Sequence, residues 1–141
     1  MITPTAPHPT ITAMSQRVCI DLLDRHHMGR IAWQAADAPQ ILPLTYTMFE
    51  GRAYFRTSPE SILSELLRPT AVALEVDELD HKTRTGWSVV MHGRSRAVAE
   101  PAEVTQLWAI DPVPWAPGSR HLFIEVTPTQ VTGRVVSRVR G

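Results

Sequence analysis

The sequence lacks the features that mark several common classes of protein. Its 14 basic and 14 acidic residues leave no net charge over 141 residues, which removes the usual electrostatic argument for binding nucleic acid or an anionic membrane surface. It has no run of about 18 apolar residues, so we expect no helix that spans a membrane. The N-terminus lacks the basic patch and apolar core of a signal peptide, and we therefore expect a cytoplasmic protein.

Cysteine is almost absent as well. Cys19 is the single cysteine, so no disulfide can form within the chain, as is usual in a reducing cytoplasm. It lies on the apolar stripe of a predicted helix, where a buried and inert thiol is the common case. The six histidines lie on separate elements or at a helix end and show no spacing typical of a metal site, so we expect no metal.

Proline, by contrast, is abundant, and the 12 prolines cluster at the ends of predicted elements, as an all-β chain with many turns requires. The apolar pattern predicts six or seven strands in hairpin order and three short helices. Two of the strands are His121–Val126 and Gln130–Val139. We therefore predict a mainly β (α+β) fold, a small antiparallel barrel with helices packed on its ends. Residues 1–14 are predicted to be a flexible arm, and residues 15–141 a single domain.

Individual glycines and prolines mark where these elements should end or bend. Gly29 is predicted to end the first helix as a left-handed C-cap. Pro43 indicates an edge strand or a bulge. Glu50–Gly51 predicts a tight hairpin, and Gly93 predicts a bend in a long strand. The Pro-rich segment Ile110–Arg120 is long enough to indicate a functional loop.

The segment Tyr54–Ser61 predicts the end of a strand that runs directly into the start of a helix. Ser58 is a good N-cap, and Pro59 suits the first helical position. The free N–H groups of a helix start favour an anion, three hydroxyls add further donors, and Arg56 adds a planar guanidinium suited to phosphate. The segment therefore predicts a phosphate site. The alternative is a well-capped surface helix that binds nothing.

Five segments, taken together with their order and spacing, carry a resemblance to a known family. They are Met28–Ala32, Pro43–Tyr46, Phe55–Ser61, Val72–Asp77 and Thr85–Arg94. The chain resembles the pyridoxamine 5′-phosphate oxidase-like, FMN-binding split-barrel proteins, above all their short bacterial branch. The resemblance runs from about residue 15 to residue 136, and it implies a split β-barrel for the predicted sheet.

The resemblance also implies a homodimer with two flavin sites at the subunit interface. Pro43, Thr45 and Tyr46 then become neighbours of the flavin ring. The implied phosphate ligands are Arg56, Thr57 and Ser61, with Ser58 in the same turn, and Trp87 and Ser88 are implied at the cofactor edge. Trp115, in the Pro-rich loop, either covers the flavin or substrate pocket or plugs the end of the barrel.

One position departs from the family pattern. Many relatives carry a lysine or arginine directly after the position of Ser61, where this chain has Ile62, and Glu60 precedes it. A phosphate site with one cation fewer and one anion more should bind FMN more weakly, by about 1–3 kcal/mol if the lost pair was well desolvated.

The function predicted from this resemblance is an FMN-dependent oxidoreductase acting on an unidentified small molecule. Pyridoxamine phosphate is not the expected substrate, because the basic C-terminal cluster that the true oxidases use is missing. The first alternative is a reductase that uses the deazaflavin F420, whose acidic tail needs a basic groove; the candidates for such a groove are Lys82, Arg84, Arg94 and Arg96. The second alternative is a dimer that binds flavin or another small molecule without turnover.

Overall fold

The computed structural model describes residue 6 and residues 8–110 and 120–139. This part of the chain forms the strands β1 (His8–Ala13), β2 (Met28–Gln34), β3 (Pro39–Thr45), β4 (Thr47–Phe49), β5 (Arg52–Thr57), β6 (Ala71–Asp80), β7 (Thr85–Ala97) and β8 (Leu122–Val139). Its helices are α1 (Gln16–Arg25), α2 (Pro101–Ile110) and a 3₁₀ helix, Ile62–Leu67. None of the helices in these ranges has the length and apolar character that crossing a bilayer requires.

The strands form one antiparallel sheet that curls into a half-barrel. Its order is β3-β2-β6-β7-β8-β5-β4, and β1 pairs with the free end of β8. The two ends of this order, β3 and β4, are consecutive in the chain and are joined by Tyr46 alone. The sheet must therefore curl until its two edges meet at Tyr46, whose N–H donates to the carbonyl of His27 at 2.8 Å. The predicted α+β split barrel is confirmed.

The core lies inside this curl and is built from alternating strand residues. On β7, Val89 and Met91 are buried whereas Ser88 and Val90 face outward, as the period of a strand requires. Helix α1 closes the open side of the half-barrel with Cys19 and Leu23, both fully buried. The predicted placement of Cys19 in the core is confirmed, and burial raises the pKa of its thiol.

The N-terminal segment differs from the predicted arm. His8–Ala13 forms β1, paired in register with residues 134–139 of β8. Five of its six side chains are exposed, so the segment is held by backbone hydrogen bonds and carries no apolar alternation. For that reason the composition of this segment did not indicate a strand.

The end of the chain also differs, because the two predicted strands are a single strand of 18 residues. Pro128 lies within it, opposite Gly93, at the point where the β7–β8 register shifts. A bulge is one of the few places where a sheet accepts proline. The bend predicted at Gly93 is thus confirmed, and the described residues form eight strands instead of the predicted six or seven.

Gly29 was assigned to the wrong element. Helix α1 ends at Arg25, with His26 already extended, and Gly29 lies within β2. The reason for a glycine there is space, since a Cβ would come within 2.8 Å of the carbonyl oxygen of Glu75. The hairpin prediction at Glu50 and Gly51 is confirmed, with φ angles of 50° and 77° that fit a type I′ turn.

Candidate functional site

The predicted phosphate ligands lie together in the connection between β5 and the 3₁₀ helix. Ser61, and not Ser58, is the N-cap, and its hydroxyl accepts from the N–H of Leu63 at 3.2 Å. The N–H of Ser61 donates to the carbonyl of Ser58 at 3.1 Å, so Ser58 and Pro59 belong to a turn that precedes the helix. The predicted N-cap, Ser58, therefore lies three residues before the observed one, because a serine followed by a proline is typical of a turn as well as of a helix start.

The 3₁₀ helix is short and is held against the core by two leucines and one side-chain hydrogen bond. Leu63 and Leu66 reach the core, and the indole N–H of Trp33 donates to the Glu65 carboxylate at 2.9 Å. Ile62, at the first position of this helix, is 42% exposed. With six residues the helix has little dipole to offer an anion. Any phosphate affinity must therefore come mainly from side chains of the turn.

Arg56 is the cation that this turn presents. It follows the buried Phe55 on β5 and is itself half-buried. Its guanidinium donates to the carbonyl of Arg120 at 3.3 Å and lies 4.8 Å from the centre of the Trp108 ring. These contacts hold a delocalised positive charge at the end of β5, where the chain enters the turn that contains the hydroxyl residues.

Thr57 is in the same turn but differs from the other hydroxyl residues. Its side chain is fully buried, and its hydroxyl lies 3.4 Å from the carbonyl of Ser58. The side chains of Ser58 and Ser61 are half-buried. The turn therefore brings the four predicted residues together, and it presents Arg56 and the two serines to solvent more readily than Thr57.

The residues predicted beside the flavin ring have different environments. Pro43 is exposed on β3, an edge strand as predicted, where its missing N–H costs no sheet hydrogen bond. The Thr45 hydroxyl lies 3.3 Å from the sulfur of Met28. Tyr46 is fully buried, and its hydroxyl donates to the carbonyl of Leu23 at 2.8 Å. Its phenol belongs to the core, and burial raises its pKa.

Trp87 and Ser88 lie at the other end of the molecule, where β7 begins. The Trp87 ring packs edge-on against the ring of His26, with 4.9 Å between centres. Ser88 lies on the outer face of the sheet, in a shallow groove of about 390 Å³ that also contains Val90 and Arg134. Trp115 lies outside the described residues.

The phosphate turn and the Trp87–Ser88 pair are far apart in one chain. Arg56 pairs with Phe123, whose carbonyl accepts from the N–H of Val98, just beyond β7. Ser88 is nine residues before the end of that strand at Ala97. At about 3.3 Å per residue, a straight strand of this length spans about 30 Å, which is an upper limit for β7 because it bends at Gly93. The phosphate turn and the Trp87–Ser88 pair therefore lie toward opposite ends of β7.

A buried ionic network was not predicted from the sequence. Glu125 is 2% exposed and accepts from Arg96 at 2.8 and 2.9 Å, from the Tyr54 hydroxyl at 2.8 Å and from the Thr127 hydroxyl at 3.0 Å. Arg96 also reaches Glu103 on α2, at 3.2 Å. The sequence indicated Arg96 only as a candidate for a basic groove. The signal that could have revealed the network is the lone carboxylate of Glu125 inside the apolar run of residues 122–126.

The network sets the protonation of its members. Burial alone would raise the pKa of Glu125, but the hydrogen bonds from Arg96, Tyr54 and Thr127 outweigh it and hold that pKa below its ordinary value. Burial, followed by the hydrogen bond to Glu125, raises the pKa of Tyr54 to about 12. Glu125 is therefore a fixed anion at neutral pH, and it ties α2 to the sheet through Arg96.

The described ranges contain no group of three His, Cys, Asp or Glu side chains that could hold a metal ion. The described strands form a curled half-barrel sheet, which is the fold of the split-barrel class. A family model described as pyridoxamine 5′-phosphate oxidase matches residues 15–135. The chain belongs to that family, as the five segments of the sequence indicated.

Known relatives agree with this assignment. Rv0080, an uncharacterized protein of Mycobacterium tuberculosis, is 33% identical over 118 residues, which cover 79% of this chain and 77% of that protein. The solved structure of the FAD binding protein from Mycobacterium smegmatis is similar at 28% identity and a TM-score of 0.73, covering 92% of this chain and 99% of that one. A conserved protein of unknown function from Corynebacterium diphtheriae is similar at 26% identity and a TM-score of 0.73, covering 88% and 96%.

Proposed function

We propose that the protein binds a flavin through its FMN moiety and is an FMN-dependent oxidoreductase acting on a small molecule. The observation that carries the proposal is Arg56, held at the end of β5 where the chain enters the turn that contains Ser58 and Ser61. Family membership and the flavin bound by the M. smegmatis relative support it.

The donors of this turn fit a phosphate group. Arg56 offers a guanidinium that neighbouring groups already orient. The buried Nε of Arg120 has no hydrogen-bond partner among the described residues, and such a donor is costly unless an acceptor satisfies it. Glu60 adds a negative charge to the turn and Ile62 contributes no cation, so we expect the turn to bind a phosphate with modest affinity.

A bound flavin supplies two-electron chemistry, in which its ring takes or gives a hydride. The protein would contribute binding and orientation. Arg56 and the serines of the turn would hold the phosphate, and the edge strand that contains Pro43 and Thr45 would lie along the ring. No set of nucleophile, base and orienting group occurs in the described part of the chain, so the cofactor would carry the reaction.

We further propose a homodimer, because one chain separates the phosphate turn from Trp87 and Ser88. A second copy packed on the outer face of the sheet would bring the Trp87–Ser88 pair of one protomer toward the turn of its partner. Val89 and Met91 of β7 lie in the core, so a partner cannot cover them. Val90, on the outer face of the same strand, is the apolar residue that a partner would cover.

The geometry favours FMN over the deazaflavin F420. Lys82 and Arg84 lie in the turn between β6 and β7, whereas Arg94 and Arg96 lie near the other end of β7. Arg96 is also engaged by Glu125. The four cations do not form the single basic groove that an acidic tail would need. The absorption spectrum of the purified protein would separate a flavin from a deazaflavin, and a bound flavin without turnover would indicate a binding dimer.

The proposal is tested by replacing Arg56. We expect Arg56→Ala to weaken FMN binding by about 1.5–3 kcal/mol, the range for a hydrogen bond to a charged group, and to leave riboflavin binding unchanged. Fluorescence quenching during titration measures both affinities. Arg17→Ala is the matched control, since it removes one positive charge from an exposed position of α1. Riboflavin that binds the wild type as tightly as FMN would show that the phosphate is not recognised there.

A further inference from the structure

The Trp108 ring lies against the guanidinium of Arg56, the proposed phosphate ligand. The central carbon of this guanidinium is over the ring, 4.8 Å from the ring centre. Such a contact attracts the cation through the electrons of the ring and consumes none of the five N–H donors of an arginine. Unlike a carboxylate, an aromatic ring therefore orients an arginine without neutralising its charge.

Aromatic neighbours hold the Trp108 ring in place. It packs edge-on against Phe123, with 5.1 Å between ring centres, and the centre of the His121 ring is 6.2 Å away. Phe123 is 1% exposed and is the cross-strand partner of Arg56 in the pairing of β5 with β8. Trp108 therefore lies between a buried ring, which supports it, and the guanidinium, which it contacts.

Helix α2, which contains Trp108, is attached to the rest of the molecule at two further points. Leu107 is 3% exposed and belongs to a separate small core that includes Phe123. The Arg96 guanidinium donates to the Glu103 carboxylate of α2 at 3.2 Å. Trp108 itself is 39% exposed, so these attachments of the helix, more than burial of the ring, fix the ring beside the end of β5.

An arginine side chain has many rotamers, and binding a phosphate restricts it to few of them. A neighbour that already restricts these rotamers lowers the entropy cost and tightens binding. We propose that Trp108 is a positioning residue, whose ring holds the Arg56 guanidinium in the orientation that binds the phosphate group of the ligand. This role rests on the proposed function, because it takes Arg56 as a phosphate ligand. Trp108 lies outside the five segments that carry the family resemblance.

The test measures the dissociation constants of FMN and riboflavin for the full chain and for variants of Trp108. Trp108→Leu keeps an apolar group against Phe123 but removes the aromatic face. It should weaken FMN binding about fivefold, within the range of a cation–π contact, and leave riboflavin binding unchanged. Trp108→Phe keeps an aromatic face and should retain most of the FMN affinity. Gln106→Ala, at an exposed position of the same helix, should change neither affinity.

A double-mutant cycle shows whether Trp108 acts through Arg56. In the Arg56→Ala background, Trp108→Leu should change FMN affinity by less than about twofold, because the ring then has no guanidinium to hold. A fivefold loss in both backgrounds, or an equal loss of FMN and riboflavin affinity, would overturn the positioning role. If melting temperatures show that Trp108→Leu has lost its fold, Trp108→Met, which also lacks an aromatic face, replaces it in the cycle. If neither variant folds, the ring is required by the fold and the positioning role is overturned.

Inorganic phosphate, titrated alone in a calorimeter, separates failure of the positioning role from failure of the proposed function. If phosphate binds the wild type and is weakened by both Arg56→Ala and Trp108→Leu while no flavin binds, the positioning role stands and the flavin function falls. If FMN binds more tightly than riboflavin, and Arg56→Ala removes this preference whereas Trp108→Leu does not, the flavin function stands and the positioning role falls. If neither phosphate nor any flavin binds, both are overturned.

Discussion

The replacement of Ile62 by lysine tests the phosphate turn most directly, because it adds a cation directly after Ser61, where the family resemblance implies one. Ile62 is 42% exposed at the first position of the 3₁₀ helix. A lysine there buries no charge and leaves no cavity, so we expect the free energy of unfolding to change by less than about 0.5 kcal/mol. The variant should therefore fold normally, and any change in affinity should report on the ligand.

The expected gain in FMN affinity follows from the same exposure. A charge-assisted contact to phosphate is stronger than a neutral one, but exposed ion pairs contribute only about 0.2–1 kcal/mol. We expect about 1 kcal/mol, or about a fivefold tighter dissociation constant. Glu65 lies three residues further on, where side chains of a 3₁₀ helix eclipse. It will compete for the lysine, although Trp33 already donates to it.

The assay is FMN titration at low and high salt, with melting temperatures measured on the same samples. The gain should shrink as salt screens an exposed charge, and riboflavin binding should not change. Ile62→Met is the matched control, since it changes the side chain without adding charge. A stable lysine variant with unchanged FMN affinity would refute the assignment of the phosphate to this turn. A melting temperature lower by several degrees would refute the exposed position of Ile62.

Two further predictions concern assembly and stability. Flavin-loaded protein should sediment as a dimer, and Val90→Glu on the outer face should yield monomer with weaker FMN binding; a wild-type monomer that holds FMN would contradict the two-chain site. The fold lowers the pKa of Glu125. The Glu125 carboxylate therefore stabilises the fold at any pH above its unfolded-state pKa of about 4.3. This stabilisation is lost as the pH falls through the lower pKa of the folded state. Glu125→Gln should lower the free energy of unfolding by about 3 kcal/mol at pH 7 and should make the melting temperature less sensitive to acid pH. Glu103→Gln is the control, because the side chain of Glu103 is 43% exposed, and it should lower the free energy of unfolding by less than about 1 kcal/mol.

Much of the fold follows from local sequence signals. The type I′ turn at Glu50 and Gly51, the edge position of Pro43 and the bend at Gly93 each depend on a residue whose backbone chemistry allows few alternatives. The strand β1 was missed because its side chains are exposed and only its backbone is paired. The misplaced cap at Ser58 shows the limit of such signals, since a serine followed by proline suits a turn as well as a helix start.

The candidate site was less predictable, because it depends on contacts between distant residues. The sequence indicated Arg56 and its hydroxyl neighbours, which are adjacent in the chain. It did not indicate that the Trp108 ring and the carbonyl of Arg120 would contact the Arg56 guanidinium, because these residues are far apart in the chain. Tyr46 likewise looked available to a ligand, and only the closing of the barrel shows that its phenol is buried.

The position of β8 has a consequence for how the chain folds during synthesis. This strand pairs with β7, β5 and β1, and it is the last of the described strands to be made. Until it emerges, the unit β3-β2-β6-β7 and the hairpin β4-β5 have no strand between them, and β5 and β7 each expose an unpaired edge. Such edges are templates for pairing with other chains. The sheet therefore becomes continuous only after nearly the whole chain has been made, and an incomplete chain ending before residue 122 should aggregate rather than adopt part of the barrel.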